Sequence, residues 1–427
     1  MKRATAISLG LAALLGTTAH SATVVEKHGA MKVSGNQIVN KDGVAFQVAG
    51  MSFFWSAWMS KYWNAQVVNT MVADWNCGLV RAAMGIEGTG MYLLAPANNK
   101  TMVKTVVDAA IAKGVYVIID WHDHNANLHV NEAKAFFEEM AQQYKDTPNV
   151  IWEIWNEPDG TSGSGTNGKD DWTKDIKPYA EQIIPVIRKY SQNLIVVGTS
   201  NWSQDVDVAA RAPITGYQNI AYTLHFYAGS HGASLRTKAN TARSLGAALF
   251  ITEWGTSVAN GGTTGTGTSI ANDNKVWTTE SDTWLAWAKD NKISWANWSL
   301  ADKDESSAAL KPGAPGNGSW TDANLSPAGI YVRSKIREVT SYEFSGVALR
   351  QTKLAGFSAR SIAGNLHIAL PDQASEVLVR DLHGRTVARH FLSGQKELNL
   401  RAPLAGVALV QVIAAAGTQA IPVAIAH

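Results

Sequence analysis

The sequence predicts an α/β chain: a (β/α)8 TIM barrel followed by a small all-β, sandwich-like domain. Three observations carry this. A strand signal recurs eight times between residues 44 and 300, and helical patterns fill most of the gaps. After about residue 340 there is no tryptophan and no long helical pattern, and short strands separated by turns take over.

The eight runs are VAFQVAGMS (44–52), GLVRAAM (78–84), GVYVIIDWH (114–122), NVIWEIWNE (149–157), LIVVGTS (194–200), IAYTLHFY (220–227), ALFITEWG (248–255) and ISWANWSL (293–300). They are short, β-branched or aromatic, and nearly continuous in hydrophobicity, as parallel strands covered on both faces should be. Between them, Thr101 to Lys113 sets Met102, Val106, Ala109 and Ala110 on one helical face and closes at Gly114. Asn131 to Tyr144 does the same with Phe136, Phe137 and Met140. A third helix, Tyr179 to Tyr190, lies behind Pro178, and a last one follows Ser326-Pro327, a cap followed by proline. Such alternation over about 300 residues fits the barrel. A doubly wound open sheet is the alternative, but no glycine-rich phosphate fingerprint follows the first strand.

The flanks have their own signatures. Lys2 and Arg3 precede an apolar stretch from Ala6 to Leu15 and then Ala19-His20-Ser21-Ala22, the layout of a secretory signal peptide over 1–21. The stretch is shorter than the roughly 20 apolar residues of a membrane span. The expected plan is thus signal 1–21, catalytic barrel 22–340, linker 341–353 and β-rich domain 354–427, with no membrane span after cleavage. With 37 basic and 35 acidic side chains, a net charge of +2 gives no electrostatic case for nucleic acid or membrane-surface partners. Cys77 is the only cysteine, so no intramolecular disulfide exists, and beside Trp75, Leu79 and Val80 it reads as a buried small hydrophobe. All 16 tryptophans lie between Trp55 and Trp320. The core should claim about three in four, leaving some for stacking on sugar faces.

In a barrel the strand C-terminal ends converge on one mouth. The polar residues falling there are Arg81, Asp120, His122, Asn156, Glu157, His225, Tyr227, Glu253 and Asn297, with Trp121, Trp254, Trp295 and Trp298 among them. Glu157 and Glu253 end the fourth and seventh runs, each followed by a glycine-rich loop, GTSGSGTNG (160–168) and NGGTTGTGTS (260–269). Hydrolysis of a glycosidic bond needs such a pair: one carboxyl to protonate the leaving oxygen, another to attack the sugar or activate water. The apolar strand end beside Trp155 would raise the pKa that the acid needs, and Asn156 could donate to a sugar hydroxyl without titrating. Glu153, roughly 13 Å further down the strand at about 3.3 Å per residue, is expected inside the barrel as a structural ion-pair or hydrogen-bond partner.

Two other classes fit less well. WHDHNANLH (121–129) packs three histidines into eight residues, and His-x-His at a strand end can bind zinc. A binuclear site would want a further histidine pair and an Asp on the eighth strand, which ends instead in Trp298-Ser299-Leu300. His124 and His129 therefore read as loop residues, and neither a metal nor an organic cofactor is expected. A non-catalytic sugar-binding barrel would require the loss of one carboxylate, and both are present.

GLVRAAM, VIIDWH, IWEIWNEP, HFY, FITEWGTS and WANWSLADKDESSAAL, in this order, resemble glycoside hydrolase family 5, close to its bacterial endo-β-1,4-glucanases (cellulases). The resemblance implies a retaining enzyme with Glu157 as acid/base and Glu253 as nucleophile. It implies that Arg81 and Tyr227 hold Glu253 and that His225 tunes Glu157. Asn156 and His122 would bind hydroxyls of the reacting sugar, and Trp298 would be the floor beneath it. Trp202 would stack on the leaving-side sugar and Trp58 on a more distant one, while Lys303 and Glu305 would contact the sugar before the cleaved one. One segment departs from the pattern. In GMSFFWSAW (50–58), where many relatives place a polar residue, Phe53, Phe54 and Trp55 make that wall aromatic. A β-mannanase or xyloglucan-active relative would differ in one or two hydroxyl contacts, worth only about 1–3 kcal/mol.

In the tail, VLVRDLHGR, KELNL and GVALVQV are similar to C-terminal sorting domains of the type IX export route. A carbohydrate-binding module is the other reading, but the tail lacks tryptophan. The expectation is a monomer, secreted or attached to the cell surface, acting on polysaccharide and meeting the export machinery through its tail.

Overall fold

The computed structural model describes residues 22–159, 171–260, 276–344 and most of 356–425. The expected signal peptide, most of both glycine-rich loops and most of the expected linker lie outside these. Two compact units are present, one spanning Thr23–Gly346 and the other containing Val347–His427.

The first unit is a closed parallel barrel. Its strands are β1 (Ala49–Phe53), β2 (Leu79–Gly85), β3 (Tyr116–His122), β4 (Val150–Glu153), β5 (Ile195–Val197), β6 (Ile220–Tyr227), β7 (Leu249–Gly255) and β8 (Trp295–Leu300), with β8 pairing back onto β1. Each expected run holds one of them. The fourth run is the notable difference: its strand stops at Glu153, and Asn156 and Glu157 lie just past it, held by Asn156 N–H to Trp121 O (3.2 Å) and Glu157 N–H to Asp123 O (3.3 Å).

Side-chain alternation sorts the apolar residues into two cores. On β3, Val117, Ile119 and Trp121 join the large cluster beneath the helices, while Tyr116 and Ile118 join a smaller one inside the barrel. Met31 and Ile38, which flank and line the N-terminal hairpin Lys32–Ser34/Gln37–Val39, plug that inner cluster. Above it the inward positions turn polar: Arg81, Asp120, Glu153 and Thr252 are all fully buried.

Strand β7 breaks the alternation. Thr223 pairs with Phe250 and His225 with Glu253, so one residue of β6, Leu224, faces two of β7, Ile251 and Thr252. This bulge turns the neighbours Thr252 and Glu253 both inward, where regular pleating would have sent one outward. Gly255 then has to be glycine, because a Cβ there would stand 2.3 Å from the Tyr227 ring.

The helices largely follow the reading. They run Pro96–Lys113, Val130–Tyr144, Lys177–Arg188 and Pro327–Phe344, the first starting at a proline and closing on Gly114 at φ 65°. The last enters the expected linker as far as Phe344. Helices Ala65–Ala73, Val206–Arg211, Ala233–Ser244 and Thr278–Asp290 were not read from sequence. Ala233–Ser244 shows why: it buries only Leu235, Ala239 and Ala242, too sparse a stripe to stand out. Cys77 is buried, as expected.

The second unit is all-β, again as expected. Its strands are β9 (Ser358–Ile362), β10 (Asn365–Ala369), β11 (Ala374–Arg380), β12 (Thr386–Phe391), β13 (Glu397–Arg401), β14 (Gly406–Ala414) and β15 (Gly417–Ile425). They form antiparallel sheets β9-β10-β13 and β12-β11-β14-β15. One core joins the two, with Leu366 and Ile368 from the first and Val377, Val379, Val410 and Val412 from the second. Among the described residues, no helix is long and apolar enough to cross a membrane.

Candidate active site

Arg81 organises the barrel mouth. Its Nε donates to Glu153 Oε2 (2.7 Å), Nη1 to Glu253 Oε2 (2.9 Å) and Ser52 Oγ (3.3 Å), and Nη2 to Asn156 Oδ1 (2.5 Å), with Asp120 Oδ2 at 2.9 Å from Nη2. Five acceptors thus surround a group that has five N–H donors. One fully buried cation serves three carboxyl groups, those of Asp120, Glu153 and Glu253. Glu153 is where the sequence put it, inside the barrel as an ion-pair partner.

The two glutamates differ in their surroundings. Glu253 takes the Tyr227 hydroxyl on Oε1 (2.6 Å) and Arg81 on Oε2. Burial, and then the neighbouring Glu157 carboxyl, push its pKa up, while His225, Arg81 and the tyrosine hydroxyl pull it down. Glu157 has no such cation in contact. It meets His225 Nδ1 at 2.8 Å and His124 Nε2 at 3.6 Å, and burial raises its pKa to about 7. One oxygen from each glutamate and a ring nitrogen of His225 all lie within 4.8 Å of one another.

Around this centre the structure brings together the other residues singled out from sequence. His122 Nδ1 meets Asp120 at 2.7 Å, and its ring lies parallel to that of Trp298 at 5.1 Å between centroids. Lys303 pairs with Glu305 (2.9 Å) and lies 5.2 Å over the Phe54 ring, which in turn packs on Trp298. Asn156 Oδ1 is used by Arg81, whereas its buried Nδ2 has no partner among the described residues, an available donor for an incoming hydroxyl. Most of the tryptophans are buried or partly buried; the exposed ones are Trp58, at 58%, and Trp202, at 38%. These are the same two that were expected to stack on sugars away from the reacting one.

Trp202 is displayed by a costly turn. Asn201, Trp202 and Ser203 have φ of 59°, 53° and 57°, the left-handed region that non-glycine residues avoid at about 1–2 kcal/mol each. Hydrogen bonds from Trp202 N–H to Pro158 O (3.0 Å) and Ser203 Oγ to Asn156 O (2.7 Å) hold the turn against the segment that carries Glu157. With Trp202 in its expected role as a sugar platform, Trp202→Ala should cost about 0.5–1.5 kcal/mol, a rise in KM of roughly 2- to 10-fold with kcat little changed. Steady-state kinetics on a soluble glucan would check this.

One reading needs correction and another gains a neighbour. Phe53 is not part of the wall: it points outward from β1 and packs on Trp63 at 5.3 Å. Phe54 and Trp55 form the wall, Trp55 standing edge-on to His122 (4.4 Å) and stacked on Trp58 (5.1 Å). His124 lies in the loop past the strand end, as read, and from there it neighbours Glu157, bridging that residue and Asp159 (3.5 Å). His129 does lie in the loop, paired with Asp123 (2.8 Å) and Glu87 (3.3 Å).

Comparison with known proteins gives the family. The model of the cellulase family, glycosyl hydrolase family 5, matches residues 39–304. An endoglucanase of Clostridium saccharobutylicum is 42% identical over 337 residues, 78% of this chain and 70% of that protein. Endoglucanase Z of Dickeya dadantii is 45% identical over 311 residues, covering 72% of this chain and 66% of its own length. A solved structure from Cytophaga hutchinsonii is 45% identical with a TM-score of 0.70, over 76% of this chain and all of that one. By its barrel, its motifs and these matches, the chain belongs to the cellulase family, glycosyl hydrolase family 5.

Proposed function

We propose that this protein is a retaining endo-β-1,4-glucanase that cleaves internal bonds of cellulose or related soluble β-glucans. The observation that carries the mechanism is the closeness of Glu157 and Glu253, whose nearest oxygens lie within 4.8 Å. Inverting glycosidases hold their carboxyl groups about 6.5–9.5 Å apart to admit a water, whereas retaining ones hold them at about 5–5.5 Å. Protonated Glu157 gives its proton to the leaving glycosidic oxygen while Glu253 attacks the anomeric carbon, forming a glycosyl ester. Glu157, now a base, deprotonates the water that cleaves the ester and regenerates both groups. Asn156 Nδ2 supplies a donor to the reacting sugar, with His122 and Trp298 beside it. Trp202 extends the site on the leaving side, and Trp58, with Lys303 and Glu305, on the other.

Reducing ends released by the full chain from carboxymethyl-cellulose and from mannan test the reading. Strong activity on the first, lost in Glu253→Gln, supports it; activity on mannan alone keeps the mechanism and overturns the substrate. The pH dependence follows from Glu157. An acid must carry its proton, and this one loses it near pH 7, so kcat/KM should fall as pH rises through about 7. A profile flat to pH 9 would contradict that assignment.

Residues 22–340 would be the catalytic part, exported by the N-terminal signal, and 354–427 a sorting or attachment domain, the whole acting as a monomer outside the cell. The tail's lack of tryptophan favours attachment over carbohydrate binding.

A further inference from the structure

We infer that Thr252, backed by Glu153, fixes the tautomer of His225 and thereby keeps the proton on Glu157 in the resting enzyme. The inference rests on the reading of Glu157 as the acid, and it names two positioning residues that act on it without touching substrate.

The argument is a count of protons along one chain of hydrogen bonds. Glu153 is ion-paired to Arg81 through Oε2, so its Oε1 is an acceptor, and Thr252 donates its hydroxyl to that oxygen at 2.6 Å. A hydroxyl has one proton. Thr252 Oγ1 can therefore only accept from its other neighbour, His225 Nε2, at 2.9 Å. His225 is buried, and desolvation lowers its pKa to about 4, so at neutral pH its ring has one N–H. That N–H is at Nε2, which leaves Nδ1 with a lone pair. Glu157 Oε1 stands 2.8 Å from this lone pair, and two acceptors do not hold such a distance. The proton between them is the carboxyl proton of Glu157.

The surrounding charges agree. His225 faces Glu153, Glu253, Arg81 and His124, and Glu157 faces His124, Arg81 and Asp159. Arg81 donates four hydrogen bonds to other residues and ion-pairs with Asp120, and none of its hydrogen bonds goes to Glu157. The β7 bulge is what makes the device possible. By turning Thr252 and Glu253 inward together, it lets one strand hold the nucleophile and set the acid.

Thr252→Val removes the acceptor at Nε2. The His225 proton should then shift to Nδ1 and donate to Glu157, stabilising its carboxylate. The alkaline limb of kcat/KM should move down by about one pH unit. At pH 8 that is roughly a tenfold loss, with little change at pH 5, whereas a merely structural defect would lower the whole profile evenly. Thr252→Ser keeps the hydroxyl and should keep the wild-type limb. An unmoved limb in folded Thr252→Val overturns the inference.

Should Thr252→Val not fold, nitrogen-15 spectra of selectively histidine-labelled wild-type protein decide the matter, with His225 assigned from His225→Gln. An Nε2–H tautomer is expected, and an Nδ1–H tautomer or an imidazolium at pH 6 overturns the inference. Neither result depends on Glu157 being the acid. That reading fails separately, if Glu157→Gln retains full activity on unactivated glucan.

Discussion

Glu253→Gln should lower kcat on soluble cellulose derivatives by at least about a thousandfold, some 4 kcal/mol of activation free energy, while leaving the fold intact. The amide is nearly isosteric: its oxygen can still accept from Arg81, and its NH2 can donate to the Tyr227 hydroxyl, so the loss isolates nucleophilicity from architecture. Glu157→Gln should look different, and the contrast is diagnostic. It removes the acid, so glucans with poor leaving groups suffer a comparable loss. An aryl cellobioside whose phenolate leaves unaided should still form the glycosyl-enzyme and then stall, giving a burst. Equal behaviour of the two variants on the activated substrate would mean that the roles are misassigned.

Arg81→Met should be the most destabilising single change in the barrel. Removing one partner of a buried ion pair typically costs about 3–5 kcal/mol, because the other charge is stranded. Here one guanidinium holds Asp120, Glu153 and Glu253, all nearly free of solvent. The sign of the pH dependence follows. Carboxyl groups left without their cation bind protons more readily folded than unfolded, so the deficit should shrink as pH falls from 7 toward 4. Urea unfolding of wild type and variant at the two pH values would measure it; a deficit that grows toward pH 4 would contradict the network.

Much of this was legible in the sequence because barrel strands buried on both faces announce themselves by composition, and their ends carry chemistry by topology. Glu157, His225, Tyr227 and Glu253 each fall near or just past such an end and Arg81 on the strand below one, so listing the polar residues of the strands and their ends recovers the centre. What the sequence hid is local geometry. The β7 bulge has no marker in LFITEWG, so period-two reasoning would have put Thr252 and Glu253 on opposite faces. Phe53 and Phe54 are adjacent aromatics with opposite destinations, one under the helices and one in the site, which residue type alone does not distinguish. His124 escaped because a second histidine after a strand end looks like loop composition until Glu157 is placed 3.6 Å away. The polar helix Ala233–Ser244 escaped because its stability comes from packing against the helix Val206–Arg211 and the outer core rather than from its own pattern.

The most direct test of the account is to trap the intermediate. Incubation with an activated 2-deoxy-2-fluoro-cellobioside, whose glycosyl-enzyme hydrolyses slowly, followed by peptide mass spectrometry, locates the carbon–oxygen bond. The account predicts one added fluorocellobiosyl group, on the peptide carrying FITEWGTS and on Glu253 itself. A label on Glu157, or turnover without any label and with inverted anomeric configuration in the product, would contradict it.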